Sequence, residues 1–295
     1  MTTLLSRTFS GRRFTSLDLA EIREVVENCF GLSRTELAKT ICELLEWTRP
    51  SGTLKSRECL EFLEQIDAEG IIRLPERRET RPFGSTTKIQ PSRDEEAVVL
   101  AGSVDQFGPV RLDKVCDRAE RDLWRGMVDR HHYLGYKVPF GASLRYFIRV
   151  SRPESVIVGC MQFSSPAWRM AVRDQWIGWD DDQRGKNLQR LVNNSRFLIL
   201  PGVRVQNLAS AALAEASRIL PEDWEAQYGV RPVLLETLVD GTRFLGTCYR
   251  AANWTDIGVT SGRGRMDRAN TRSGEAPKKV FLMPLAKDFR QRLGV

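Results

Sequence analysis

The sequence predicts an α+β protein, a helical N-terminal module followed by a larger domain whose mixed sheet is flanked by helices. Three observations point there. Residues 17–69 hold three stretches with helical apolar spacing, separated by stop and capping residues. Residues 142–163 hold two β-rich runs joined by the turn Ser151-Arg-Pro-Glu154, the pattern of a hairpin. From residue 196 onward, β-rich and helical runs alternate, as they do where helices cover a mixed sheet.

In chain order, the first helix spans 17–30 and stops at Gly31. Ser33 and Glu36 then form a capping box, because Ser33 caps while Glu36 reaches back to its N–H. The helix they open runs to Trp47, with Leu37, Ile41, Leu44 and Leu45 on one face. A turn at Pro50-Ser-Gly-Thr53 precedes a third helix, 56–69, with Cys59, Leu60, Leu63 and Ile66 inward. Gly70-Ile-Ile-Arg-Leu-Pro75 reads as a short strand. Three helices and a strand are the plan of a winged helix-turn-helix, in which Lys55, Arg57, Arg73, Arg77 and Arg78 would meet DNA phosphates. Glu58, Glu61, Glu64 and Glu69 on the third helix suit protein docking instead, so both roles stay open. The module is expected over 1–75 and a linker over 76–96, where periodicity is lost among Pro, Gly, Ser and Thr.

The second domain is expected over 97–295. Its elements are a helix at 117–130, the hairpin 142–150 and 155–163, and a strand at 196–200. A helix follows at 206–220, then a strand at 233–239, a helix at 242–252, and strands at 254–259 and 279–284. The 176–187 segment, with two Trp, three Asp and a basic turn, reads as a cleft-edge loop whose tryptophans stack on a ring or anchor the core.

Composition narrows the function. No apolar run approaches the 18 residues a membrane helix needs, and Met1–Ser10 has no secretory apolar region, so a cytoplasmic protein without membrane contact is expected. Six cysteines without a Cys-x-x-Cys pair fit free thiols in a reducing compartment and argue against structural zinc. The formal net charge is +7. Residues 261–295 carry nine Arg/Lys and three Asp/Glu, a balance of +6, so nearly all of the excess sits there. Such concentration points to a polyanion. Within it, Ser261-Gly-Arg263-Gly-Arg265, with Arg268 and Arg272, forms a loop whose glycines admit a phosphate backbone and whose arginines neutralise it.

Four groups of residues could carry chemistry. His131 and His132, the only histidines, sit in the loop after a helix, where they either transfer a proton or cap the helix end. Glu236 and Asp240 lie four apart on one strand and share a face, suited to base and positioning roles or, with His, to a divalent metal. Pairing to Arg204 or Arg250 is the structural alternative. Arg204, Val205, Gln206, Asn207, Leu208 and Ala209 join a strand to a helix N-terminus, where free backbone N–H groups would face an open cleft and receive an anion. Tyr249 is a candidate acid, and Cys248 beside it reads as packing.

Arg204-Val-Gln-Asn207-Leu-Ala209 resembles the Arg/Gln-x-x-Gly-x-Gly/Ala pyrophosphate turn of the GNAT-like acyl-coenzyme A-binding core, with Asn in place of the first Gly. Tyr249-Arg-Ala-Ala-Asn253-Trp254 resembles that family's Tyr-x-x-x-Gly-Phe, again with Asn for Gly; asparagine tolerates the left-handed backbone both turns need. The resemblance implies a GNAT-like mixed sheet, with Tyr249 protonating a leaving thiolate. A wider set, His131-His-Tyr-Leu-Gly135, Ser164-Ser-Pro-Ala-Trp168, Trp176-Ile-Gly-Trp179, Asn193-Asn-Ser-Arg-Phe-Leu-Ile-Leu-Pro201, Leu235-Glu-Thr-Leu-Val-Asp240, Gly246-Thr-Cys-Tyr-Arg-Ala-Ala-Asn-Trp254 and Gly262-Arg-Gly-Arg265, is similar to the DruA family in that order. That family takes its name from the Druantia anti-phage system and also occurs beside transposases. It implies a DNA-associated defence or mobile-element protein that engages, cuts or modifies nucleic acid, with other defence or transposition subunits as partners. An acyl-coenzyme A-dependent N-acyltransferase and a non-catalytic DNA-binding scaffold are the alternatives. The implied cofactor is acyl-coenzyme A or a divalent metal.

Overall fold

The computed structural model describes residues 6–29, 32–50, 53–76, 98–136, 141–260 and 277–295. It opens with an antiparallel hairpin, β1 (Arg7–Phe9) and β2 (Arg12–Phe14), that the sequence did not announce. The hairpin exists to deliver Phe14, whose ring stacks on Phe62 at 4.2 Å with Trp47 edge-on at 5.0 Å. Helix α1 (Ser16–Asn28) starts on a capping box made by Thr15 and Asp18. The predicted box also forms before α2 (Arg34–Leu44): Ser33 N donates to Glu36 Oε2 at 2.8 Å and Glu36 N to Ser33 Oγ at 3.3 Å. In α3 (Ser56–Ala68), Cys59, Phe62, Leu63 and Ile66 are buried.

The predicted strand 70–75 does not form. Helix side chains take its backbone groups instead: Arg23 donates to Ile71 O, Arg34 to Pro75 O, and Leu74 N donates to Asp67 Oδ1. Among the described residues the module is therefore helical with an N-terminal hairpin, without the wing strand.

After the described gap come β3 (Leu100–Ser103), α4 (Val104–Phe107) and β4 (Arg111–Lys114), then α5 (Arg118–His131). The predicted hairpin is β5 (Ser143–Val150) with β6 (Val156–Ser164). The stretch read as a cleft-edge loop is instead two helices, α6 (Ala171–Ile177) and α7 (Asp181–Asn187), the second opened by an Asp180–Gln183 capping box. Its tryptophans anchor the core side: Trp179 is buried with Nε1 donating to Asp174, and Trp176 stacks on Phe289 at 5.5 Å.

The remaining elements are β7 (Leu191–Ile199), β8 (Val203–Gln206), α8 (Leu208–Tyr228), β9 (Leu234–Asp240), α9 (Thr247–Ala251), β10 (Thr255–Val259), β11 (Lys278–Pro284) and α10 (Phe289–Arg292). Helix α8 runs through Pro221 to Tyr228, past the expected end at Leu220. Burial of Trp224 and Tyr228 outweighs the proline's cost, and the Tyr228 hydroxyl bonds both backbone groups of Ser143.

The main sheet has the order β10-β11-β9-β7-β6-β5-β4 and is antiparallel except between β7 and β9. It is the mixed sheet flanked by helices that the GNAT-like resemblance implied. Met127 of α5 packs on Cys160 of β6, while Asp223 of α8 accepts from Tyr146 of β5 at 2.9 Å. Cys160 lies opposite Phe147, whose face alternates with that of Tyr146, so α5 and α8 cover opposite faces. One continuous buried cluster joins Phe14, Ile22, Ile41 and Phe62 of the N-terminal module to Tyr146, Phe163 and Trp224 of the sheet domain. A cavity of about 30 Å³ at this junction is lined by Cys29, Leu32 and Thr40 from one side and Ala142, Ser165 and Trp224 from the other.

Candidate functional site at the parting of two strands

Strands β7 and β9 pair in parallel only from Leu191–Asn193 against Leu234–Glu236, and then separate. The cause is local. Gln162 registers with Arg196 and Phe163 with Asn194, which leaves Ser195 as an extra residue in β7. A bulge of this kind bends its strand away from a straight partner. Buried polar side chains gather here: Gln162, Ser164, Asn193, Asn194, Glu236 and Thr237 are each at most 8% exposed.

On the α8 and α9 side, the gap is closed by Tyr249. Its hydroxyl donates to Asn194 Oδ1 at 2.8 Å, and Thr237 Oγ1 donates to Asn194 O at 3.0 Å. The ring lies on Phe281 at 5.6 Å, with Trp254 and Phe197 edge-on. The turn that presents Tyr249 requires Gly246 at φ +75°, where a Cβ would meet the Phe281 ring at 2.5 Å. Burial pushes the Tyr249 hydroxyl well above the usual phenol range, so it stays protonated as a donor.

On the opposite face, Glu236 is fully buried and faces Arg173, Nη1 to Oε2 at 3.1 Å. Arg173 also contacts Asp174 at 2.8 Å and donates to Ala167 O and Trp168 O. Glu236 thus ties β9 to α6 and to the loop before it. The two arginines the sequence offered as its partner are elsewhere: Arg250 pairs with Asp256 at 2.6 Å, and Arg204 is exposed on β8.

Further along that face, at the end of the gap that is here called its mouth, two loops meet. The first follows α5. His131 ends the helix and is exposed, and His132 caps it. The Nδ1 of His132 accepts from Leu134 N at 3.2 Å, its ring stacks on Tyr133 at 4.9 Å, and Arg196 Nε donates to Gly135 O at 3.3 Å. The other loop follows β9, where Arg243 N and Phe244 N return to Asp240 O at 3.1 and 2.9 Å. It carries Phe244 to 5.4 Å from the Tyr133 ring and Arg243 Cζ to 5.2 Å over that ring.

Burial, then the Arg196 charge, pushes His132 down to about 4, so the imidazole is neutral at pH 7. Asp240 is held below the usual carboxylate range by hydrogen bonds from Thr242, with Arg243 and Lys278 contributing. Burial and the Asp240 charge raise Tyr133, against the pull of Arg196 and Arg243.

Of the residues singled out from sequence, His132 and Asp240 thus reach the mouth, while Glu236 of β9 and Tyr249 of α9 are buried on opposite faces of the sheet. The segment Arg204, Val205, Gln206, Asn207, Leu208 and Ala209 belongs to another strand pair. Val203–Gln206 pairs in parallel with Leu100–Ser103, which commits one backbone edge of the segment to β3. Val203–Gln206 is therefore a paired strand, while Asn207, Leu208 and Ala209 form the turn into α8. Asn207 does take the left-handed conformation, φ +64°, and Leu208 is buried. In the N-terminal module, Lys55 donates to Ser10 O, Arg57 pairs with Glu61 at 3.2 Å, and Arg73 is exposed. The expected nucleic-acid contacts Arg77, Arg78, Arg263, Arg265, Arg268 and Arg272 lie outside the described residues. Among the described residues, no group of three or more His, Cys, Asp or Glu is placed to hold a metal ion, and no helix is long and apolar enough to cross a membrane.

Sequence reasoning missed Tyr133, Arg173, Arg196, Arg243 and Phe244. The one available signal was Phe244 in a polar turn directly after a strand ending in Asp240.

Comparison with known proteins adds the following. Residues 67–276 match the family described as Druantia protein DruA, more than half of the chain. A curated relative, Druantia protein DruA of Escherichia coli (strain UMEA 4076-1), is 30% identical over 105 residues, 34% of this chain and 26% of that protein. The chain therefore aligns with about a quarter of that relative's length. Among solved structures, it is similar to a spermidine N-acetyltransferase from Vibrio cholerae in complex with CoA and spermine, at 8% identity and a TM-score of 0.40, over 61% of this chain and 98% of that one. It is also similar to an aminoglycoside acetyltransferase in complex with coenzyme A, at 12% identity and a TM-score of 0.39, over 62% and 99%.

Proposed function

We propose, for a chain that belongs to the DruA family of Druantia proteins, a nucleic-acid-engaging component of anti-phage defence that contacts DNA at the mouth between β7 and β9. The observation that carries this reading is the composition of the mouth. Arg196, Arg243 and a neutral His132 converge there with two exposed aromatic rings, and Asp240, whose charge reaches Tyr133, is already bonded to Thr242. Arginine beside exposed rings is a surface suited to phosphate and base together. The formal charge of +7, concentrated in 261–295, would draw the same partner. His132 and Asp240 are the groups placed to handle a proton at this mouth. Glu236 and Tyr249, buried on the two faces of the sheet behind the mouth, would hold in place the strands that carry these groups.

The acyltransferase reading has less support. The backbone edge of Val203–Gln206 is committed to β3, and the Tyr249 hydroxyl is engaged with Asn194. A scaffold role, in which the same contact recruits other defence or transposition subunits, differs only in lacking a chemical step.

DNA binding measured by fluorescence anisotropy over a salt series tests the reading. The logarithm of the affinity should fall linearly with log salt, and Arg243→Gln should reduce the slope by about one. Absence of binding at low salt, or a slope and affinity untouched by Arg243→Gln, would reject the mouth as the contact.

A further inference from the structure

We infer that the Tyr133–Phe244 ring pair is a stacking platform for unpaired bases, so that the mouth takes single-stranded or locally opened nucleic acid rather than intact duplex. This rests on the nucleic-acid reading above and narrows it to a substrate class.

The two rings come from loops 111 positions apart in sequence, meet at 5.4 Å with an interplanar angle of 56°, and remain 38% and 50% exposed. Leu134 at 42% and Leu245 at 66% extend the apolar surface on either side. A loop tip that presents Phe-Leu outward gains nothing by hydrophobic burial within this chain. The platform is nonetheless held in place. Arg243 and His132 engage the Tyr133 ring, which in turn supports Phe244, and Phe244 N is bonded to Asp240 O at 2.9 Å, so the half-exposed Phe244 ring is the one left to receive a base. Exposed rings beside a guanidinium group match the needs of a base, which offers a π face and carries an adjoining phosphate.

Charge separates this occupant from an apolar protein partner. Arg243 is more than half exposed, at 59% of its side chain, and its contact with Asp240 is loose at 3.7 Å, so its guanidinium is open to a phosphate while it lies over Tyr133. Arg196 is fixed under the loop by its bonds to Gly135 O and Ser195 O and supplies a standing positive charge. Duplex DNA does not fit the rings, because its base faces are stacked against one another and only edges and backbone are offered. An unstacked base presents the missing face.

The test compares binding of the full chain to a labelled oligothymidylate of about 16 nucleotides or more and to a duplex of the same length. Phe244→Ala should weaken single-strand binding by about 5- to 150-fold, leave duplex binding unchanged and leave the melting temperature unchanged, and Phe244→Trp should restore binding. Single-strand binding unaffected by both Phe244→Ala and Tyr133→Ala overturns the platform. So does an equal loss on duplex, which would make the contact one of backbone only. Wild-type binding to duplex but not to single strands rejects the platform and leaves the nucleic-acid reading standing, whereas binding to neither rejects both.

Discussion

The Tyr249 hydroxyl donates to Asn194 Oδ1 at 2.8 Å across the place where β7 and β9 part, so a helix residue completes what the two strands no longer bond to each other. Asn194 answers with its amide, donating to Gln162 O on β6 and to Arg196 O just past the Ser195 bulge. The bulge, the gap and the tyrosine are one arrangement. A buried acceptor deprived of its donor retains its desolvation cost.

Tyr249→Phe should therefore destabilise the protein by about 1–3 kcal/mol with little change in packing, since the ring contacts to Phe281 and Trp254 remain. Urea unfolding monitored by tryptophan fluorescence checks this. A variant as stable as the wild type would mean that Asn194 finds its donor elsewhere.

The buried pair of Arg173 and Glu236 predicts an asymmetric double-mutant cycle. Arg173→Met leaves a buried carboxylate and should cost about 3–5 kcal/mol. Glu236→Leu should cost less, because Arg173 keeps Asp174 and the carbonyls of Ala167 and Trp168. The double variant should be more stable than Arg173→Met alone. Chemical denaturation of the four proteins measures the coupling.

His132 makes stability fall with acid. Its folded value near 4 is below the 6.5 of an unperturbed imidazole, so the unfolded chain binds the proton first. Its contribution is complete above pH 6.5 and lost as pH falls from there toward 4. Partial exposure of the ring keeps the amplitude modest. His132→Gln should flatten this segment of a melting-temperature profile taken from pH 7.5 to 4.5, and an unchanged profile would contradict the assignment.

Where the sequence was legible, a short-range rule decided the outcome. Ser33 and Glu36 form their box, and Asn207 and Asn253, which stand where glycine is usual in the turn patterns, take φ +64° and +62°. The hairpin of β5 and β6 and the shared face of Glu236 and Asp240 follow from period-two alternation. Distant pairings were not legible. β3 joins β8 across about a hundred residues, and a four-residue strand leaves no periodic trace. The partner of Glu236 sits 63 positions away on a helix that the sequence reading did not place. The mouth was half legible: the histidine pair stood out, while Arg196 lay hidden in an apolar strand and Phe244 in a turn.

The uninterrupted core carries one more implication. The family match begins at residue 67, in the last turn of α3, whereas Phe14, Ile22, Ile41 and Phe62 upstream belong to the same buried cluster as Tyr146, Phe163 and Trp224. Trimming the chain at the alignment boundary would strip a wall from the sheet domain and leave its apolar seat wet. The N-terminal helices are better regarded as foundation than as appendage, and any lineage that exchanged them would have to remodel the ground beneath the sheet.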